Sequence, residues 1–277
     1  HGRLGPVNLT PGRPLNKGES VLHESLLRTE GVLVHGHRGC GARTETPENT
    51  LPSFAMAMEA GVDGLELDVR LTRDGVPVLM HDEKLDRTTN ASGPVAALTL
   101  AELREVDAGI RFGERWKGLA VPTLEAFCEL VRPRADLALS VELKDYSREA
   151  TDKTVALLDR FGLIGRCVFT CWNAEVVHDL YDRHRLPCQG FIGLRMTNFV
   201  PGVHGTYARM AAVGIAMKDL TPERVRDFVD MGILPWAWCP DDEAAVQFAI
   251  DCGVRLITVN RLGPALKLCK GIRGVAL

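Results

Sequence analysis

The sequence predicts an eight-stranded α/β barrel with a β-hairpin arm after its second strand, and three observations lead there. The chain has 277 residues, close to the roughly 250 typical of such a barrel. From residue 32 onward, short apolar and β-branched runs alternate with stretches of helical periodicity, the pattern of parallel strands joined by helices. One link between two strand-like runs is only Arg73-Asp74-Gly75. A parallel crossover needs about a dozen residues or more, so these two runs form an antiparallel hairpin.

Residues 1–30 read as an N-terminal arm. The stretch His1–Lys17 is rich in Gly, Pro, Arg and Asn and lacks the apolar centre of a signal peptide. Residues 31–277 read as one barrel domain, because no second shift in composition interrupts them. The strand candidates are Val32–His37, Leu65–Thr72, Val76–His81, Leu137–Lys144, Cys167–Cys171, Gly190–Leu194, Gly214–Lys218, Leu234–Trp238 and Leu256–Asn260. Several are continuous apolar runs, as expected for parallel strands covered on both faces. Counting the hairpin once leaves eight strands, a TIM-type (β/α)8 barrel.

Helices are expected between the strands. Asn49 is placed to cap a helix that runs to Ala60 and stops at Gly61. Thr99-Leu100-Ala101-Glu102 has capping-box spacing. Thr221-Pro222 starts a helix expected to reach Gly232. Between Asp241 and Cys252, the residues Ala245, Phe248, Ala249 and Cys252 mark an apolar face.

Composition excludes several classes. The net charge is -3 with no long basic run, so no nucleic-acid groove is expected. No apolar run is long enough for a transmembrane helix. The eight cysteines are scattered through apolar segments without a CxxC pair, so buried reduced thiols and a cytoplasmic location are expected.

The chemistry-bearing residues fall near strand ends. Glu66-Leu67-Asp68 sets two carboxylates on one strand face. Two such charges in a barrel mouth resist joint ionisation unless a cation neutralises them, and hard oxygens favour Mg2+, Ca2+ or Mn2+. Alone, an exposed pair or a pairing with Arg explains them better. Ser140-Val141-Glu142-Leu143-Lys144 puts Glu142 and Lys144 on one face, where Glu142 can complete the carboxylate set and Lys144 can meet a phosphate oxygen. The bland reading is an intrastrand ion pair. His35-Gly36-His37-Arg38-Gly39 closes the first strand. His37 lies nearer the loop than His35, and Arg38 offers a planar fork for phosphate. In the simplest hairpin register Arg70 faces Val78 and Asp68 faces Met80. That returns His81 to the level of the carboxylates, but opposite Leu67, so a bulge or bend is needed to turn its ring inward.

At this point the ordered motifs resemble those of glycerophosphodiester phosphodiesterases. They are His37-Arg38-Gly39, Pro47-Glu48-Asn49-Thr50, Glu66-Leu67-Asp68-Val69, Thr72-Arg73-Asp74-Gly75, Val78-Leu79-Met80-His81-Asp82, Leu85-Asp86-Arg87-Thr88-Thr89, Pro122-Thr123-Leu124 and Glu142-Leu143-Lys144. The match is strong over about residues 32–145 and weaker beyond. The resemblance implies hydrolysis of glycerophosphodiesters to glycerol 3-phosphate and an alcohol with a divalent ion, commonly Mg2+ or Ca2+. It implies Glu66, Asp68 and Glu142 as metal ligands, His37 and His81 as the acid–base pair, and Arg38 and Lys144 as phosphate holders. In the family's route a substrate hydroxyl attacks phosphorus first and water then opens the cyclic phosphate. The chain departs from the family where Trp-Thr-Val-Asn is common, reading Trp238-Cys239-Pro240-Asp241 instead; Trp238 is still placed to wall the alcohol group.

Two other readings stand beside this one. The same fold and metal can act on lysophospholipids, which would need an apolar channel built from Trp236, Trp238, Phe191, Phe199 or Met196. A non-catalytic phosphodiester-binding protein is disfavoured by the presence of both histidines and all three carboxylates. The expected partner is a small glycerophosphodiester, and a homo-oligomer is compatible with the sequence.

Overall fold

The computed structural model describes residues 31–41 and 44–271, so the expected N-terminal arm lies outside the described residues. Nine strands form one sheet: β1 (Leu33–Gly36), β2 (Gly64–Leu71), β3 (Pro77–Leu79), β4 (Ala138–Leu143), β5 (Cys167–Thr170), β6 (Cys188–Phe191), β7 (Ala212–Ala216), β8 (Leu234–Trp238) and β9 (Leu256–Val259). Each barrel strand pairs in parallel with its neighbour, and β1 pairs with both β2 and β9, so eight parallel strands close on themselves. The remaining strand, β3, runs antiparallel to β2 as the expected hairpin.

The hairpin register is the one that turn chemistry dictates. Arg70 pairs with Val78, and the Thr72 N–H reaches the Val76 carbonyl at 3.0 Å. Asp74 accepts the Thr72 hydroxyl at 2.6 Å, and Gly75 takes the left-handed conformation (φ 72°) that closes the turn.

Alternation along the strands separates two environments. Leu65, Leu67 and Val69 of β2 and Leu139, Val141 and Leu143 of β4 join the main apolar cluster, with helix residues such as Phe54, Phe127 and Leu158. The opposite parity carries polar groups. Ser140 lies 3.2 Å from the Thr170 hydroxyl, which donates to Gln189 at 2.9 Å, and Trp236 donates to Thr258 at 2.8 Å. A smaller cluster of Leu33, Val168, Ala212, Trp236 and Leu256 shares that parity nearer the strand starts. Functional side chains therefore sit above an apolar plug, at the carboxyl ends of the strands, where barrels place their active sites.

Helix signals held in part. Thr99 forms the full capping box with Glu102, and Gly61 is a left-handed cap (φ 90°). The helix Pro222–Asp230 stops at Met231, just short of Gly232. Three expectations are corrected. Asn49 does not cap the helix Leu51–Ala60; Thr50 occupies that position, and Asn49 is turned away at φ 56° to serve the site described below. In the helix Glu243–Asp251 the buried positions are Val246 and Ala249, while Phe248 is exposed, because the helix presents the 246/249 stripe to the sheet. The sixth and seventh strands by chain order begin two residues earlier than expected, at Cys188 and Ala212, and residues 193–195 and 217–219 turn into 3-10 segments.

Candidate active site

The site is organised by a change of partners along β2. On one side β4 pairs with β2 continuously from Gly64 to Val69. On the other, β1 pairs only with Gly64 and Leu65, and β3 takes over from Val69 to Leu71. His37 follows the end of β1 and His81 follows the end of β3, which runs the opposite way. The two histidines therefore approach Glu66 and Asp68 from opposite directions.

That arrangement resolves the orientation of His81. Register parity pointed its ring to the wrong face, but β3 ends at Leu79 and the chain bends at His81. Arg70 holds the bend by donating from Nε and Nη2 to the His81 carbonyl at 3.1 and 2.8 Å. The imidazole then lines a cavity of ≈ 380 Å³ with His37, Arg38, Asp82, Arg87, Trp238, Cys239 and Asn260.

Glu66, Asp68 and Glu142 are all buried, and an oxygen of each lies within 4.8 Å of the others. Glu66 Oε2 accepts the Arg38 N–H at 3.0 Å and lies 3.7 Å from His37 Nε2. Asp68 Oδ2 accepts the Asn49 amide at 2.7 Å and lies 3.2 Å from Arg38 Nε. Lys144 Nζ donates to Glu142 and lies 3.4 Å from Asp68 Oδ1. Glu66 Oε1 and Asp68 Oδ1 are buried and accept no hydrogen bond. Buried carboxylate oxygens that cluster and accept no hydrogen bond among the described residues fit a hard divalent cation.

The electrostatics support that reading. Burial, then the charges of Asp68 and Glu142, push the Glu66 carboxyl well above its usual range. Glu142 is also raised, by burial and by Asp68, against the pull of Lys144. Burial opposes ionisation of Asp68 too, but Lys144, Arg38, His81 and the Asn49 amide together hold its pKa below the usual range. Three carboxylates therefore do not share full charge until a cation joins them.

The two histidines differ. Burial and the adjacent Arg38 lower His37 to about 4, so at neutral pH it is uncharged and able to accept a proton. His81 is lowered mainly by burial, with Asp68 and Asp82 opposing, and its Nδ1 meets the Asp82 carboxylate at 2.6 Å. His35 is buried against Trp236 (centroids 4.9 Å, near-perpendicular), and neither of its ring nitrogens has a hydrogen-bond partner among the described residues.

The expected phosphate holders sit beside the carboxylates. Arg38 takes a left-handed backbone (φ 55°), which aims its guanidinium at Glu48 (2.7 Å) and Asp68. Trp238 is half-buried and lines the cavity, its ring edge-on to Trp172 and Phe191 at 5.9 and 6.1 Å. All eight sequence candidates thus converge on one end of the barrel.

Five further residues of the candidate site escaped assignment. Asn49 bridges to both the Asp68 side chain and its backbone N–H (3.2 Å). Glu48 accepts from Arg38 and, through both guanidinium nitrogens, from Arg87 at 2.7 and 2.9 Å. Arg87 and Asp82 pair at 2.6 Å behind His81. Asn260 lies 2.7 Å from His37 Nδ1. The motifs containing Glu48, Asn49, Asp82 and Arg87 were visible in the sequence, but each has an ordinary turn or cap reading.

A barrel that gathers bases, cations and a carboxylate trio around room for one anionic group belongs among the phosphoryl-transfer barrel enzymes. The family model for the glycerophosphoryl diester phosphodiesterase family matches residues 37–263, and the chain belongs to that family. It is 48% identical over 228 residues to a glycerophosphodiester phosphodiesterase of Caldanaerobacter subterraneus subsp. tengcongensis, covering 80% of this chain and 91% of that relative. It is 30% identical over 273 residues to one from Bacillus subtilis, covering 91% and 89%. Among solved structures, an Oleispira antarctica phosphodiesterase in complex with the product sn-glycerol-3-phosphate aligns with a TM-score of 0.73 at 25% identity, covering 83% of this chain and 93% of that one. Among the described residues no helix is long and apolar enough to cross a membrane.

Proposed function

We propose that the chain hydrolyses glycerophosphodiesters to glycerol 3-phosphate and an alcohol at this site, with His37 as base and His81 as acid. The observation that carries the reading is the arrival of His37 and His81 from opposite ends of β2 onto Glu66 and Asp68. Uncharged His37 accepts a proton from the attacking substrate hydroxyl, and water then opens the resulting cyclic phosphate to glycerol 3-phosphate. His81 acts as the acid in its imidazolium form, which Asp68 and Asp82 favour against burial, and gives its Nε2 proton to the departing alkoxide. Arg38 and Lys144 face the phosphoryl oxygens and offset their growing charge. Glu66, Asp68 and Glu142 would hold a divalent cation, Mg2+ or Ca2+, which when bound supplies Lewis-acid stabilisation of the phosphoryl group. The names of the relatives, and the glycerol 3-phosphate in the Oleispira structure, support this substrate class.

The eight cysteines form no disulfide, and six of them are buried, which fits the cytoplasmic location we infer. A lysophospholipid substrate finds less support. Of the five residues that could line an acyl channel, Trp236, Phe191 and Met196 are buried core, Phe199 packs on Tyr207, and Trp238 alone of the five lines the cavity.

Purified enzyme with Mg2+ should release choline and glycerol 3-phosphate from glycerophosphocholine, and turn over a lysophosphatidylcholine far more slowly. His37→Ala and His81→Ala should each lower kcat by roughly 10²–10⁴-fold. Full activity in either variant would remove that histidine from the mechanism, and faster turnover of the lysophospholipid would reverse the substrate assignment.

A further inference from the structure

The ring of His37 is gripped from behind. Its Nδ1 lies 2.7 Å from Asn260 Oδ1, the Asn260 side-chain amide nitrogen lies 2.8 Å from Asp241 Oδ2, and the Asn260 backbone N–H donates to Asp241 Oδ1 at 2.8 Å. The Cys239 thiol also lies near that nitrogen, at 3.8 Å. We propose that Asp241 is a positioning residue that, acting through Asn260, fixes His37 as the Nδ1–H tautomer and so leaves Nε2 as the free base facing Glu66. The proposal rests on His37 being the base, and extends that reading to a residue that touches neither substrate nor phosphate.

An ionised carboxylate can only accept, so the end of the Asn260 amide that faces Asp241 must be the NH2. The opposite end of the same amide is then its oxygen, which can only accept. The group facing it, His37 Nδ1, must therefore carry the proton. In a neutral imidazole that leaves Nε2 bare, and Nε2 is the nitrogen 3.7 Å from Glu66 Oε2. The Asp241 carboxylate, which can only accept, sets the orientation of the Asn260 amide.

Asp241→Asn breaks this logic without changing shape. Its single oxygen is needed by the Asn260 backbone N–H, so its NH2 now faces the Asn260 amide. Asn260 turns over to offer its oxygen to Asn at 241, and presents its NH2 to His37. Nδ1 then becomes an acceptor and the proton moves to Nε2, where it blocks the base. Exchanging both residues, Asp241→Asn with Asn260→Asp, restores every donor–acceptor pair, because the carboxylate at 260 again accepts from His37 Nδ1–H.

The experiment is 15N NMR of imidazole-labelled protein at pH 8, with the His37 signal assigned by its loss in His37→Ala, alongside steady-state kinetics with glycerophosphocholine and Mg2+. Wild type should show the Nδ1–H pattern. Asp241→Asn should show the Nε2–H pattern, with kcat down on the order of 10²-fold and KM little changed. The double exchange should recover the Nδ1–H pattern and kcat to within about tenfold of wild type. An Asp241→Asn protein that keeps Nδ1–H overturns the proposal while leaving His37 as base. A tautomer switch together with full turnover in His37→Ala supports tautomer control by Asp241, and fails the assignment of His37 instead. Should Asp241→Asn not fold, a folded double exchange that shows Nε2–H, or is inactive, overturns the proposal on its own.

Discussion

Replacing Glu66 by Gln should make the cation-free protein more stable and the cation-loaded protein less so. Glu66 is buried, with one oxygen lacking a donor, and its neighbours Asp68 and Glu142 lie within 4.8 Å. Two full charges at that distance repel by about 3.5 kcal/mol at an effective dielectric of 20. Arg38 and Lys144 offset part of this, so on the order of 1–3 kcal/mol should be recovered when the charge is removed. The sign follows from linkage. The folded pKa of Glu66 is raised above the unfolded value of about 4.3, so the folded state holds the proton more tightly and wild-type stability falls as pH climbs through that interval. Denaturant unfolding in EDTA should therefore find wild type and Glu66→Gln similar near pH 4, and the variant more stable at pH 8. Added Mg2+ at a hundred times its Kd should stabilise wild type by about 2.7 kcal/mol and the variant by clearly less. A variant that is less stable than wild type in EDTA at pH 8, yet gains the full increment from Mg2+, would refute the reasoning.

Because Glu66 and Glu142 are both raised, cation binding should expel protons, and affinity should rise with pH. Calorimetry at pH 6 in two buffers of different ionisation enthalpy should report that release, and identical heats would contradict it. Asn49→Gly keeps the left-handed backbone but deletes both bonds to Asp68, so the Kd for Mg2+ should weaken by roughly 10–100-fold, and the buried Asp68 N–H left without its partner should cost about 1–3 kcal/mol of stability. Glu48→Gln leaves two arginines short of a partner, and should cost about 2–4 kcal/mol at pH 7. Despite burial, Arg87 and Arg38 hold the Glu48 pKa below its usual value, so that contribution is present above about pH 4.5 and lost as pH falls through the depressed value. Acid titration of the two proteins should show the gap closing, and a gap that stays constant to pH 2 would be the contrary result.

What the sequence disclosed was whatever is written locally. Arg73-Asp74-Gly75 fixes a turn in three residues, and the turn fixes the register of β3, so the barrel count and the level of His81 could both be read. Strand period alone puts Glu66 and Asp68 on one face and Glu142 on its neighbour. The failures arose where a local rule and a distant partner compete for one residue. Asn49 stands where the best helix caps stand, yet its amide is claimed by Asp68, nineteen positions away. His81 defeated parity because parity applies only within a strand, and the strand had already ended at Leu79. Asp241 and Asn260 are legible only once β8 and β9 are known to be adjacent, since their contact spans two loops.

The mismatch in strand length is what makes room for the site. The strand β1 has four residues and β2 has eight, so one flank of β2 runs out of partner after Leu65. In a plain sheet that flank would need covering, because its backbone groups sit in a buried wall. Here the far stretch is taken by β3, and Met80 N–H donates to the Asp68 carbonyl at 3.0 Å. The Asp68 N–H in the gap is taken by the Asn49 side chain, which stands in for the missing strand. Covering the gap with one side chain and two strand ends leaves space that a longer β1 would fill. The loops that begin at those two ends are the ones that carry His37 and His81. The hairpin is therefore part of the architecture of the proposed site: it completes the hydrogen bonding of β2 and delivers one of the two histidines.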